Sequence, residues 1–235
     1  MRSPITLVIS EPKLLAVFNV TASIYIATSS LHQIPLWLTA VTKILPILCL
    51  GFFVLAQGKK FLLSHHSLLK LLAGLVFSGL GDVLLVPSNY FIAGGVMFAI
   101  AHCFYIWMFG FKSVNLRGGS VVASATLIGA TLLGTCMWRK DMATWQILAL
   151  FCYCAVIGSM VWRANAEVLF HTPKPPAKVI GGLGAVCFAI SDLTLALNLL
   201  CFPNIPYRTL IVMSTYYTAQ LFITLSVVND KKRHD

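Results

Sequence analysis

Eight stretches of the chain are apolar over the length of a membrane crossing: residues 14–31, 36–56, 67–86, 90–111, 119–137, 143–162, 178–200 and 207–228. A spanning helix needs about 20 largely apolar residues, so each stretch qualifies. Chain breakers fall between them: Pro35, Pro87, the Pro173/Pro175/Pro176 cluster, and Pro203 with Pro206. Within the stretches apolar residues are continuous and do not alternate, which excludes barrel strands. The pattern predicts an all-α polytopic membrane protein of eight transmembrane helices, built as a single integral-membrane domain over residues 1–235.

Composition agrees: 58% of residues are hydrophobic and only 10% charged, against about 25% charged in soluble domains. The net charge of +10 does not indicate nucleic acid. The basic residues are scattered over short loops, with no RRM, zinc-finger or helix-turn-helix pattern. Instead they set the topology. With eight spans, thirteen of the seventeen Lys and Arg residues share a side with both termini and the loops after spans two, four and six. Only Arg139, Lys140 and Arg208 face the other side, and Lys43 lies within a span. Both termini are therefore expected to be cytosolic. No removable signal peptide is expected, because the N-terminus lacks the charged segment, short apolar core and small-residue cleavage site. The seven cysteines form no CxxC pair and lie mostly within spans. They read as small packing residues rather than disulfides or metal ligands.

The two halves share a spaced motif, which fits either two four-helix repeats or the small residues that recur wherever membrane helices pack closely. G-x-V-x5-D occurs twice, at Gly74, Val76 and Asp82 and at Gly184, Val186 and Asp192. Both aspartate helices run outward from the cytosol, as a duplicated four-helix unit requires.

The candidate chemistry sits in those aspartates. Five of the seven acidic residues lie at ends or between apolar runs, whereas Asp82 and Asp192 lie deep within them. An ionised carboxylate at membrane depth costs at least about 2.5–3.5 kcal/mol. Lys43, the one intramembrane cation, needs a partner, and these are the available acids. A structural Lys–Asp pair would account for one aspartate and leave the other unexplained. His102, Tyr105, Tyr216, Tyr217 and Gln220 add polar groups from spans four and eight. Each has a packing explanation: His102 as a hydrogen-bonded core residue, Tyr216 and Gln220 as a helix bridge sharing one face, with Tyr217 pointing elsewhere. Two adjacent buried carboxylates do not both ionise, which would give one general acid and one general base at neutral pH. The same division of labour cleaves acetals in glycosidases. No GxSxG, HExxH, P-loop or dinucleotide fingerprint competes, and the remaining histidines lack metal-site spacing, so no metal or other cofactor is expected. The carboxylates alone fit hydrolysis and proton-coupled transport equally. A non-catalytic lipid-binding or scaffold protein would leave Asp82, Asp192 and Lys43 without a role.

Longer motifs separate these readings. FSGLGDVLL around Asp82, ISDLTLALN around Asp192 and MSTYYTAQL in the last span resemble the lysoplasmalogenase family, also called the YhhN or transmembrane protein 86 family. The resemblance runs from SPITLVISEPKL through LTAVTKILPILCL to CFPNIPYRTLIVMSTYYTAQ, and its opening segment is closer to the A-type than to the B-type vertebrate paralogue. It implies an ether hydrolase in the endoplasmic reticulum membrane, acting among membrane lipids without a cofactor. Its substrate would be a lysophospholipid, a lysoplasmalogen, whose vinyl ether is cleaved to a fatty aldehyde and glycerophosphoethanolamine or glycerophosphocholine. It further implies that Asp82 and Asp192 are catalytic and that Lys43, Tyr216 and Tyr217 are polar positions of the family; His102, Asn198 and Gln220 are expected, as polar residues of the spans, to bind substrate or support the site. The chemistry suits these residues. Protonating the outer alkenyl carbon creates an oxocarbenium ion that water captures, which asks for a proton donor, a stabilising carboxylate and a base. Lys43 would keep one aspartate ionised or meet the phosphate. No oligomeric state is implied.

Overall fold

The structure, a computed structural model, describes residues 11–29, 34–111, 113–170, 172 and 174–232. Arg2, most of the SPITLVISEPKL motif, the last two residues of the expected first span, His32, Lys112, His171, Pro173, Arg233, His234 and Asp235 lie outside them.

Eight main helices follow the apolar stretches: α1 (Pro12–Thr28), α2 (Leu36–Leu55), α3 (His66–Leu84), α4 (Phe91–Phe109), α5 (Leu116–Arg139), α6 (Thr144–Asn165), α7 (Pro176–Leu200) and α8 (Arg208–Lys232). A short helix, Lys59–Ser64, and one 3-10 turn, Ser88–Tyr90, lie in the connections. Seven of the eight are long and apolar enough to cross a membrane. The remaining one, α1, has 17 residues. At 1.5 Å per residue that is about 26 Å, the lower limit of a span.

Local chemistry sets the ends. Pro12 and Pro176 occupy first turns, where the missing N–H costs nothing. Asn115 caps α5 by accepting from the Gly118 N–H at 2.9 Å. Gly110 ends α4 at φ 78°, a conformation in which a Cβ would be strained. Pro46 lies inside α2; lacking an N–H, it leaves the Thr42 carbonyl without its helical donor and loosens the turn holding Lys43.

The most extensive helix pairings are α7 with α8 and α3 with α4. Two motif glycines permit them. A Cβ on Gly74 would enter the Tyr105 ring, and one on Gly184 would lie 3.0 Å from the Ala219 carbonyl oxygen. The central helix is α8: 72% of its apolar window is buried inside the molecule, against 28–44% for the other long helices. The outward faces of the others are the apolar surface expected of lipid contact.

The halves correspond beyond the aspartate motif. Lys43 on α2 precedes Asp82 by 39 residues, and Tyr153 on α6 precedes Asp192 by the same 39. From those positions inward, α2 buries Ile47, Leu50 and Val54 while α6 buries Ile157, Met160 and Ala164 at identical spacing. Two copies of one four-helix unit would share this register.

One expectation fails. Cys136, near the end of α5, and Cys201, which caps α7, form a disulfide across a sequence separation of 65. Packing of α5 beside α7 brings their Cα atoms to 5.3 Å, an approach that spacing along the chain does not reveal. Cys49, Cys103, Cys152, Cys154 and Cys187 are free thiols.

Candidate active site

Asp82 lies in the last turn of α3, where the final carbonyls of a helix have no intrahelical donor. Lys43, approaching from α2, satisfies both groups this position offers. Its Nζ is 3.3 Å from Asp82 Oδ1 and donates to the Asp82 backbone carbonyl at 3.2 Å. The second carboxylate oxygen, Oδ2, accepts the Tyr216 hydroxyl of α8 at 2.6 Å. Tyr217, one residue on and facing another direction, donates to the Lys43 carbonyl at 2.9 Å and packs edge-on against Phe18 and Tyr25 of α1. Asp82 and Lys43 are both buried, so their charges compensate each other away from solvent.

Asp192 has a different environment. It sits in mid-α7, next to Ser191, whose hydroxyl pins α7 to α8 through the Val212 carbonyl at 2.9 Å. Its Oδ2 accepts the Tyr153 hydroxyl of α6 at 2.5 Å and lies 3.4 Å from His102 Nε2 of α4. His102 Nε2 is also 3.3 Å from the Tyr153 oxygen, so the three groups form a closed triangle. His102 is wholly buried and its Nδ1 has no hydrogen-bond partner among the described residues. The Asp192 side chain is 17% exposed, against 2% for Asp82. It is the carboxylate that a molecule outside the bundle can reach.

The two carboxylates occupy separate settings and do not form one adjacent pair. Among the described residues no hydrogen bond joins them, and each has its own partners. Phe188 stands between the clusters, its ring centroid 4.6 Å from His102 and 5.3 Å from Tyr216. The arrangement is nevertheless cross-linked. An α8 tyrosine serves the α3 aspartate, and an α4 histidine serves the α7 aspartate, so each half completes the other half's site.

Two further residues stand apart from the carboxylates. Gln220, one turn beyond Tyr216 on α8, accepts the Tyr105 hydroxyl at 2.7 Å and touches neither aspartate. Asn198 faces away from the carboxylates, toward the α7–α8 connection. Its Oδ1 accepts the Ile205 N–H at 3.1 Å and so closes the connection between α7 and α8. Tyr153 is the residue that motif reading missed; applying the Lys43–Asp82 spacing to Asp192 would have found it. Among the described residues no three His, Cys, Asp or Glu side chains converge as metal ligands.

The YhhN family matches residues 38–227, which include every residue of both clusters. The human lysoplasmalogenase TMEM86A is 40% identical over 99% of this chain and 95% of its own length. The bovine TMEM86A is 39% identical over the same shares. The pig lysoplasmalogenase TMEM86B is 31% identical over 94% of this chain and 88% of its own. Identity to the A-type relatives is thus higher. No solved structure matches the chain. Aspartate motifs, eight apolar helices and similarity along almost the whole length converge: the chain belongs to the YhhN family.

Proposed function

We propose that this protein is a lysoplasmalogenase, an ether hydrolase that cleaves the vinyl ether of a lysoplasmalogen to a fatty aldehyde and a glycerophospholipid headgroup. The names of the curated relatives support the substrate, and the unequal environments of the two aspartates support a division of labour. Asp82, in contact with an ammonium and a hydroxyl donor, is the ionised member. Asp192 is held by the Tyr153 hydroxyl and the His102 ring rather than by a lysine, is partly open, and has Oδ1 without a partner among the described residues. It is the general acid.

The steps balance. The Asp192 carboxyl proton adds to the alkenyl carbon distal to the ether oxygen, leaving an oxocarbenium ion and an Asp192 carboxylate. The negative charge of Asp82 stabilises that cation in a medium of low dielectric. Water attacks the carbon next to oxygen and passes a proton to the Tyr216 oxygen, while the Tyr216 proton moves to Asp82 Oδ2. The hemiacetal then collapses. Its hydroxyl proton returns to Asp192, the Asp82 proton returns through Tyr216 to the departing glycerol oxygen, and both residues regain their starting states.

The cytosolic placement of the termini rests on the Lys and Arg asymmetry. The disulfide supports it independently: Cys136 and Cys201 both fall at helix ends away from the termini, on the side that would face an oxidising lumen. An endoplasmic reticulum location fits that arrangement and helices of about 20 residues. The test is aldehyde release from lysoplasmalogen by purified protein and its Asp82→Asn and Asp192→Asn variants. Each variant is expected to lose at least about 100-fold in rate, the lower range for an essential proton-transfer group. Turnover at wild-type rates by either folded variant refutes its assignment, and no aldehyde from the wild type leaves proton-coupled transport as the reading to pursue.

A further inference from the structure

Below Tyr216, the α8 face turned into the bundle carries Gln220 and Thr224, one and two turns further toward the cytosolic end. Both are fully buried, and Gln220 Nε2 and Thr224 Oγ1 have no hydrogen-bond partner among the described residues. Thr224, the most deeply buried threonine among the described residues, lacks a bond that many of the chain's helical threonines make. The hydroxyls of Thr21, Thr28, Thr42, Thr135, Thr194 and Thr215 each donate to a carbonyl of their own helix three or four residues back. That of Thr224 does not. Beside it, Tyr105 donates to Gln220 Oε1 at 2.7 Å and lies 3.4 Å from Ser78 Oγ, so a strip of polar atoms runs through an apolar core. Buried polar groups almost always have partners, and water supplies them where protein does not. Further along the same face of α8, Val227 and Lys231, three and seven residues beyond Thr224, line a cleft of about 40 Å³ with Ser67, Ser226 and Asp230, room for a water molecule.

From this we infer that the Tyr216–Gln220–Thr224 face of α8 is a water-binding seam that feeds the hydrolytic water to Tyr216 and Asp82 from the cytosolic side. The inference rests on the hydrolase reading for the fate of the water, but not for its presence. The seam separates the two substrates. The lipid meets the partly open Asp192, and the water arrives from within the bundle at the carboxylate that solvent does not otherwise reach.

Brief X-ray irradiation of the full-length protein in nanodiscs in ¹⁸O-water converts bound waters to hydroxyl radicals that label adjacent side chains. Tyr105 is expected to label more strongly than Tyr25, a tyrosine away from the seam that is if anything less buried. In Thr224→Val the Tyr105 label should fall and kcat drop at least threefold with KM unchanged. Thr224→Ser should restore both, and Thr135→Val should leave both as in wild type. Equal labelling of Tyr105 and Tyr25 overturns the seam. Lost label with unchanged kcat overturns its role as the supply, and failure of Thr224→Ser to rescue assigns Thr224 to packing instead. If the wild type releases no aldehyde, the hydrolase reading fails, while the labelling still decides whether the seam holds water.

Discussion

The Lys43–Asp82 pair is open to a test that separates stability from catalysis. At the observed 3.3 Å, the Coulomb attraction is about 5 kcal/mol for an effective dielectric of roughly 20. Desolvating two ions offsets much of that gain, so the intact pair is worth little over a pair of neutral side chains. Removing one partner is a different matter, because it strands the other charge among buried groups at a cost of about 3–5 kcal/mol. Lys43→Met and Asp82→Asn are each expected to destabilise the protein by that amount. The double variant should recover to within about 1.5 kcal/mol of wild type, a coupling energy of about 4.5 kcal/mol or more. Stability is read from unfolding in mixed micelles, with tryptophan fluorescence as the probe, and activity from aldehyde release coupled to an alcohol dehydrogenase. The double variant should be folded and inactive, because its carboxylate is gone. If the two destabilisations simply add, the ion pair does not exist in the membrane. If the double variant hydrolyses substrate at wild-type rates, Asp82 has no catalytic role and the mechanism above is wrong.

Three further outcomes follow from individual contacts. Tyr153→Phe removes the hydroxyl bonded to Asp192 and should lower kcat about tenfold with little change in KM, the size of a lost hydrogen bond to a reacting group; steady-state kinetics with an unaltered rate would show that Tyr153 does not position the acid. Asn198→Ala breaks the bond that closes the α7–α8 connection and should cost about 1 kcal/mol of stability, yet leave activity per folded molecule intact, which discriminates a loop residue from a site residue. Cys136→Ser should abolish the mobility difference between reduced and non-reduced protein on gels and lower the thermal midpoint while kcat persists; an absent mobility difference in the wild type would refute the disulfide.

The number and order of the main helices could be read directly from the sequence, because hydropathy is a local property that the bilayer interprets one segment at a time. Partnerships were harder. Lys43 was tied to an aspartate by elimination, but which aspartate it meets depends on α2 packing against the last turn of α3. Asn198 shares a motif with Asp192 and nevertheless points to a loop, since adjacency along a helix says little about which neighbour a side chain faces six residues later. Cys136 and Cys201 meet only because α5 lies beside α7. Tyr153 carries no intrinsic chemical signal among seven tyrosines; only the internal repeat marks it.

The proposed repeat would also account for the unequal settings of the carboxylates. Two copies of a four-helix unit would place an aspartate and a polar α2-type residue at the same register, and symmetric copies would give two equivalent acids with nothing to decide which holds a proton. The sequence breaks the symmetry at one position of each pair. The α2-type residue is Lys43 in one half and Tyr153 in the other, an ammonium against a neutral hydroxyl. The residue supplied from the opposite half is Tyr216 in one case and His102 in the other. In the proposed mechanism, the lysine of one half and the tyrosine of the other distinguish an anion from an acid between two otherwise like carboxylates. Because each half furnishes a side chain to the other's aspartate, neither half can form a complete site alone, and division of the protein between its repeats should abolish activity even where both halves insert.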